Sequence, residues 1–199
     1  GNNLDPERAL KFLFRLDNHI YSLEGRKSVE YGGGLHTKHH HIRYHDFFIN
    51  RISGEDSVLD IGCGNGALAF DVAENSGATV TGIDKNKDNI EKARAKFLHD
   101  RVKYVHGDVL KDLPDEHFDV IVLSNVLEHL PDRSQFLKTV ITTVMPARCL
   151  IRVPLFERDW RVPLKRELGI EWRLDETHEI EYTRESFHKE ISQAGLEIM

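Results

Sequence analysis

A strand that runs into a glycine turn and then a helix leaves a chain few ways to fold, and residues 58–70, VLDIGCGNGALAF, have that form. Val58, Leu59 and Ile61 read as buried strand positions, Asp60 sits at the carboxyl end, and the chain turns through Gly62, Gly64 and Gly66 into a helix starting near Ala67. Glycine accepts the backbone angles of such a turn and lets a ligand approach the main chain, while the helix start offers free N–H groups. Four more apolar, β-branched runs follow: TVTGID, VKYVHGD, FDVIVLSNV and RCLIRVPLF. Helical patterns separate them, as in KDNIEKARAKFL, where Ile90, Ala93 and Phe97 share one face. Repeated alternation predicts an α/β fold with a doubly wound, mostly parallel sheet and right-handed crossovers. Ligands of such sheets bind at the carboxyl ends of the strands.

Before the sheet, residues 5–23 read as an amphipathic helix opening at Asp5-Pro6, the glycines of YGGG as a joint, and residues 37–52 as a second helix. The domain reading is a helical cap or lid over 1–35 and a ligand-binding domain over 36–199. At 199 residues, with 40% hydrophobic and 30% charged residues, the chain is long enough for a real core and has no membrane-length apolar run. A net charge of −6 disfavours nucleic acid as a partner, and no membrane partner is expected. Cys63 and Cys149 lie in apolar surroundings and read as buried thiols of a reducing compartment, which makes the cytoplasm the default location.

Two ligand classes compete for the glycine loop. A dinucleotide fold wants G-x-G-x-x-G and a pyrophosphate on the helix start. Here the spacing is D-x-G-x-G-x-G, and an acid at the mouth repels a pyrophosphate but suits a ligand carrying an ammonium group. The pattern resembles motif I of the class I S-adenosylmethionine-dependent methyltransferases, of the type 11/12 kind. The resemblance runs from about residue 35 onward and implies their Rossmann-like fold, with S-adenosyl-L-methionine as cofactor. It implies that Asp60, Gly62, Cys63, Gly64 and Gly66 form the cofactor loop, Cys63 through its backbone. Asp84, with Lys85 in GIDKN, falls where the family binds both ribose hydroxyls. Asp108 and Val109 in HGDVL match the adenine loop, and Ser124 and Asn125 in VLSNVLEHL match the strand end that meets the methionine portion.

Five of the twelve histidines, His36, His39, His40, His41 and His45, fall within ten positions in GLHTKHHHIRYHDFF. Their spacing suits zinc only if a further ligand converges, and they read instead as the surface of a segment covering the cofactor. In that segment Arg43 and Tyr44 are the candidates for cofactor contact. No metal is assigned; Glu128, His129 and His178 are the candidate ligands if a divalent ion is held, since they resemble the E-x-x-E-H and later His of small-RNA 2′-O-methyltransferases, with Asn125 in place of the first Glu. His129 and His178 are also the candidate catalytic bases for a hydroxyl acceptor. Residues 157–179, with Trp160, Trp172 and several arginines, read as an acceptor lid.

Together these imply methyl transfer to oxygen or nitrogen of a small metabolite or glycan. The alternatives are a metal-assisted RNA 2′-O-methyltransferase and a non-catalytic cofactor-binding subunit; a nicotinamide dehydrogenase fits the glycine spacing poorly. The family ordinarily continues through an antiparallel C-terminal hairpin, which the ending GLEIM leaves incomplete, so missing residues or a partner, including a second copy, are expected to finish that edge.

Overall fold

A computed structural model describes residues 5–199. In chain order the elements are α1 (Pro6–Tyr31), α2 (Lys38–His41), α3 (Asp46–Ile49), β1 (Ser57–Ile61), α4 (Ala67–Ser76), β2 (Thr79–Asp84), α5 (Lys87–Lys96), β3 (Val102–His106), β4 (Val120–Ser124), α6 (Arg133–Val144), β5 (Arg148–Arg152), α7 (Arg161–Glu167) and α8 (Arg184–Gln193). They fall into two compact units. The larger comprises His45–Val153 and Arg184–Met199; the smaller, the residues up to Tyr44 with Pro154–Thr183.

The larger unit holds a five-stranded sheet in the order β3-β2-β1-β4-β5 with every pairing parallel. A parallel sheet covered by helices buries both faces of its strands. Leu59, Ile61, Ile121 and Leu123 are accordingly buried without remainder, as are Phe48 from α3 and Leu137 and Val140 from α6. The order reverses direction between β1 and β4, so the loops leaving these two neighbours diverge and open a crevice. Helix α5 starts on Asn86, whose side chain accepts from the Asp88 and Asn89 N–H groups. Asn86→Ala removes this cap and is expected to cost about 1 kcal/mol in urea unfolding.

In the smaller unit α1 is capped by Asp5, which accepts from the Arg8 N–H at 3.1 Å. The helix runs eight residues beyond the expected end because KSVEY keeps helix-forming residues after Gly25, and it stops at Gly32–Gly34, the last two at positive φ. One face is pinned to α7. Asp17 pairs with Arg161 at 3.1 Å and Lys165 at 2.9 Å, Asn18 accepts from Lys165 at 2.6 Å, and Phe14 meets the Trp160 ring edge-on.

The expected helix over 37–52 is not continuous. Arg43 takes φ 48° between the four-residue helices α2 and α3. The run His-His-His-Ile-Arg-Tyr-His is poor in strong helix formers, and a single left-handed residue ends the hydrogen-bond ladder. The unit boundary falls there, between Tyr44 and His45.

Candidate functional site

The site lies at the carboxyl ends of β1, β2, β3 and β4 in the larger unit. Gly62, Gly64 and Gly66 all take positive φ, at 70°, 56° and 87°. The N–H groups of Gly62 and Cys63 donate to the Ile83 carbonyl at 2.8 and 3.1 Å, which locks the loop onto β2. The three glycines have different reasons. A Cβ on Gly66 would lie 2.7 Å from Ala93 Cβ and 2.8 Å from the Tyr104 ring, so this glycine seats the loop on the core. A Cβ on Gly62 would strike Val126 at 2.5 Å, whereas at Gly64 it would meet nothing within 4 Å. Gly64 faces open space, and its backbone is the part of the loop a ligand can approach.

Asp84, at the end of β2, accepts from the Gly64 N–H at 2.9 Å and from the Asn86 N–H at 2.8 Å, and Asn89 Nδ2 lies 3.4 Å away. Its carboxylate is thus held against the glycine loop. Asp60, on β1, is 2% exposed, and its Oδ2 is buried with no hydrogen-bond partner among the described residues. Burial first, and the Asp84 charge second, push its carboxyl up to about 8. An acid kept dry and unsatisfied costs stability unless a donor or cation arrives. Cys63 is buried, and its thiol is pushed up by burial and then by the Asp60 and Asp84 charges. This leaves a thiol rather than a reactive thiolate.

Lys85 offers its carbonyl to His106 Nε2 at 3.2 Å. Asp108 caps the Leu110 N–H at 3.1 Å and lies 3.7 Å from the Lys111 ammonium, beside Val109 in the turn after β3. At the end of β4, Ser124 Oγ accepts from Arg152 at 2.8 Å, and Asn125, at φ 56°, donates its N–H to the Arg152 carbonyl at 2.8 Å. Glu128 and His129 follow in a 3-10 turn, Glu128 fully buried and His129 half-buried.

The larger unit therefore brings together Asp60, the glycine loop, Asp84, Lys85, Asp108, Val109, Ser124 and Asn125. Arg43, Tyr44 and His178 belong to the smaller unit. There the Tyr44 ring meets His39 edge-on and Lys38 Nζ at 4.3 Å, and His178 Nδ1 lies 2.9 Å from buried Glu181, which Arg158 also pairs. Of the histidine run, His36 Nδ1 accepts from the Lys38 N–H, and His40 packs on His41. His45, in the larger unit, pairs with Asp71 at 2.5 Å. Segment 157–179 contributes α7 and, with the residues up to 181, borders a cavity of about 540 Å³ lined by Arg166, Ile170, Trp172, His178 and Glu181.

Sequence reasoning missed Arg152. It closes β5, orients Ser124, and lies over the Phe48 ring at 4.8 Å. An arginine ending an otherwise apolar strand was the available signal. Asn86 and Asn89 were missed as supports of Asp84; the D-x-N-x-x-N spacing carried them.

An all-parallel sheet in this order, with a glycine loop after its first strand, is a Rossmann-like fold. Residues 59–147 match the family model described as a methyltransferase domain. Over 150 residues the chain is 28% identical to the 2-methyl-6-phytyl-1,4-hydroquinone methyltransferase of a Synechocystis strain, covering 70% of this chain and 46% of that protein. Over 107 residues it is 35% identical to the ubiquinone biosynthesis O-methyltransferase of Yersinia pestis, covering 51% and 44%. The chain spans about half the length of these curated relatives. Among solved structures, a SAM dependent methyltransferase from Archaeoglobus fulgidus superposes with a TM-score of 0.58 at 24% identity, over 89% of this chain and 73% of that one. Residues 59–147 thus match a methyltransferase domain, and the chain is similar to methyltransferases over that core.

Proposed function

We propose that the chain transfers a methyl group from S-adenosylmethionine to oxygen or nitrogen of a small metabolite or glycan, a hydroxyl being the favoured acceptor. The observation that carries this is Asp60: a buried carboxyl oxygen without a hydrogen-bond partner among the described residues, beside a glycine loop, suits a ligand with an ammonium group and no negative charge at that point. The open space at Gly64 and the placement of Asp84 against it support the same ligand.

In this reading Asp60 receives the ammonium, Gly62, Cys63 and Gly64 line the approach with backbone, and Asp84 accepts from the ribose hydroxyls. Asp108 and the Val109 backbone bound the adenine, with Lys85 at the rim. Ser124 and Asn125, braced by Arg152, border the methionine portion. Arg43 and Tyr44 are assigned as further cofactor contacts. The cofactor supplies an electrophilic methyl group on a sulfonium. The protein's part is to orient the acceptor in line and to take up its proton. His129, after β4, is the base we favour. His178 is the second, its ring oriented by Glu181. Acceptor choice is assigned to segment 157–179, where Arg166 and Trp172 line the cavity. The relatives named for hydroquinone methylation and ubiquinone O-methylation support a small-molecule acceptor.

The test is release of S-adenosylhomocysteine in the presence of catechol and hydroquinone acceptors. His129→Ala is expected to lower kcat at least tenfold and leave cofactor affinity within twofold. Retained cofactor binding with no turnover on any hydroxyl or amine acceptor would favour the non-catalytic subunit instead.

A further inference from the structure

Helix α1 has a second apolar face. With 3.6 residues per turn, Phe12, Leu13, Leu16, Ile20 and Leu23 fall within about 100° of one another, the width of an amphipathic stripe. All five are exposed, from 39% at Leu23 to 67% at Phe12. The opposite side of the same helix, with Phe14 and Asn18, and the adjoining edge at Asp17 are pinned to α7. Solvent therefore meets three turns of continuous leucine, isoleucine and phenylalanine on a helix already anchored from behind. Isolated exposed apolar residues are ordinary, whereas a contiguous stripe marks a surface that is covered in use.

The charges beside the stripe indicate the cover. Arg8, Arg15, His19 and Arg26 repeat at spacings of seven, four and seven and so form one row along one edge. All four are exposed, and the three arginines have no carboxylate partner among the described residues; Arg26 donates only to Ser22. The other edge carries Asp17, already engaged by Arg161 and Lys165, and Glu24. Past the stripe Lys27 and Glu30 pair with each other, as do Lys11 and Glu7 before it. A two-fold antiparallel pairing of α1 with a second copy would set the arginine row against itself.

We propose that α1 lies on an anionic phospholipid surface, its stripe in the boundary between headgroups and acyl chains and its arginine row against the phosphates. The chain's net charge of −6 opposes this only weakly, because repulsion beyond about 8–10 Å is screened at physiological salt while the row is in contact. No helix among the described residues is long and apolar enough to cross a membrane, so the attachment is one of lying on the surface. This departs from the absence of a membrane partner expected from composition, which registers spans and not faces. It stands apart from the methyl-transfer reading.

The test is flotation of the intact chain with vesicles of phosphatidylcholine alone and of phosphatidylcholine with phosphatidylglycerol, at low and physiological salt. The expected result is binding at least tenfold stronger to the anionic vesicles and weakened by salt. Leu16→Glu/Ile20→Glu is expected to abolish it, and Arg8→Glu/Arg15→Glu/Arg26→Glu to weaken it at least tenfold, both with unchanged circular dichroism and melting. No binding to anionic vesicles by folded chain at low salt overturns the proposal. So does equal binding that ignores both variants, or a dimer in light scattering that Leu16→Glu/Ile20→Glu dissolves while vesicles stay unbound.

Discussion

Asp60→Asn is expected to yield a chain that is more stable than the parent and unable to hold its cofactor. In the folded chain burial raises the Asp60 carboxyl to about 8, whereas an unfolded aspartate titrates near ~3.9. Between those values the folded state keeps a proton that the unfolded state has lost, so this residue makes stability fall as pH rises from about 4 to about 8. Below that window both states are protonated and the effect vanishes; above it the penalty is complete. The amide cannot ionise, so the gain should be on the order of a few kcal/mol at pH 8 and near zero at pH 4 in urea unfolding. Binding should move the other way. An ammonium beside Asp60 favours the carboxylate, so the parent should release a proton on binding S-adenosylmethionine at pH 7, seen as a dependence of the calorimetric heat on buffer ionisation enthalpy. The variant should release none and bind at least 30-fold more weakly, the scale of losing a buried charge-assisted contact.

Gly66→Ala and Gly64→Ala, two residues apart in one loop, should separate stability from binding. At Gly66 the new methyl enters space held by Ala93 and Tyr104 while the backbone stays at φ 87°, so left-handed strain and overpacking add to about 3–5 kcal/mol. That is a large share of an ordinary domain's stability, and much of this variant should be unfolded on mild heating. At Gly64 the methyl meets no atom of the described residues within 4 Å beyond its chain neighbours, and only the strain of φ 56° remains, about 1–2 kcal/mol. That variant should fold, as read by circular dichroism, and lose at least tenfold in cofactor affinity because the methyl stands where the ligand approaches. Equal losses of stability in both would mean that the loop at Gly64 is packed rather than open.

The sheet was legible because parallel strands announce themselves as short runs such as VLDI and VIVLS, and the glycine spacing with Asp60 placed the crevice at their ends. The reasons behind individual residues were less visible. Spacing alone could not distinguish Gly66, which seats a loop on Tyr104, from Gly64, which leaves room, because that difference depends on long-range packing. Residues 37–52 read as one helix from their apolar positions, but weak helix formers and the left-handed Arg43 divide them. The part of Arg152 was hidden because its partner Ser124 lies on the neighbouring strand, 28 residues earlier.

Isothermal titration calorimetry of the unmodified chain with S-adenosylmethionine, S-adenosylhomocysteine and NAD reads the cofactor site itself. One saturable site is expected for the two sulfur nucleotides, with no heat of binding for NAD and loss of the site in Asp84→Ala, whose carboxylate is held against Gly64. Binding of NAD in preference to the sulfur nucleotides, or no binding of any of the three by demonstrably folded chain, would overturn the assignment of the glycine loop, Asp60 and Asp84 to this cofactor.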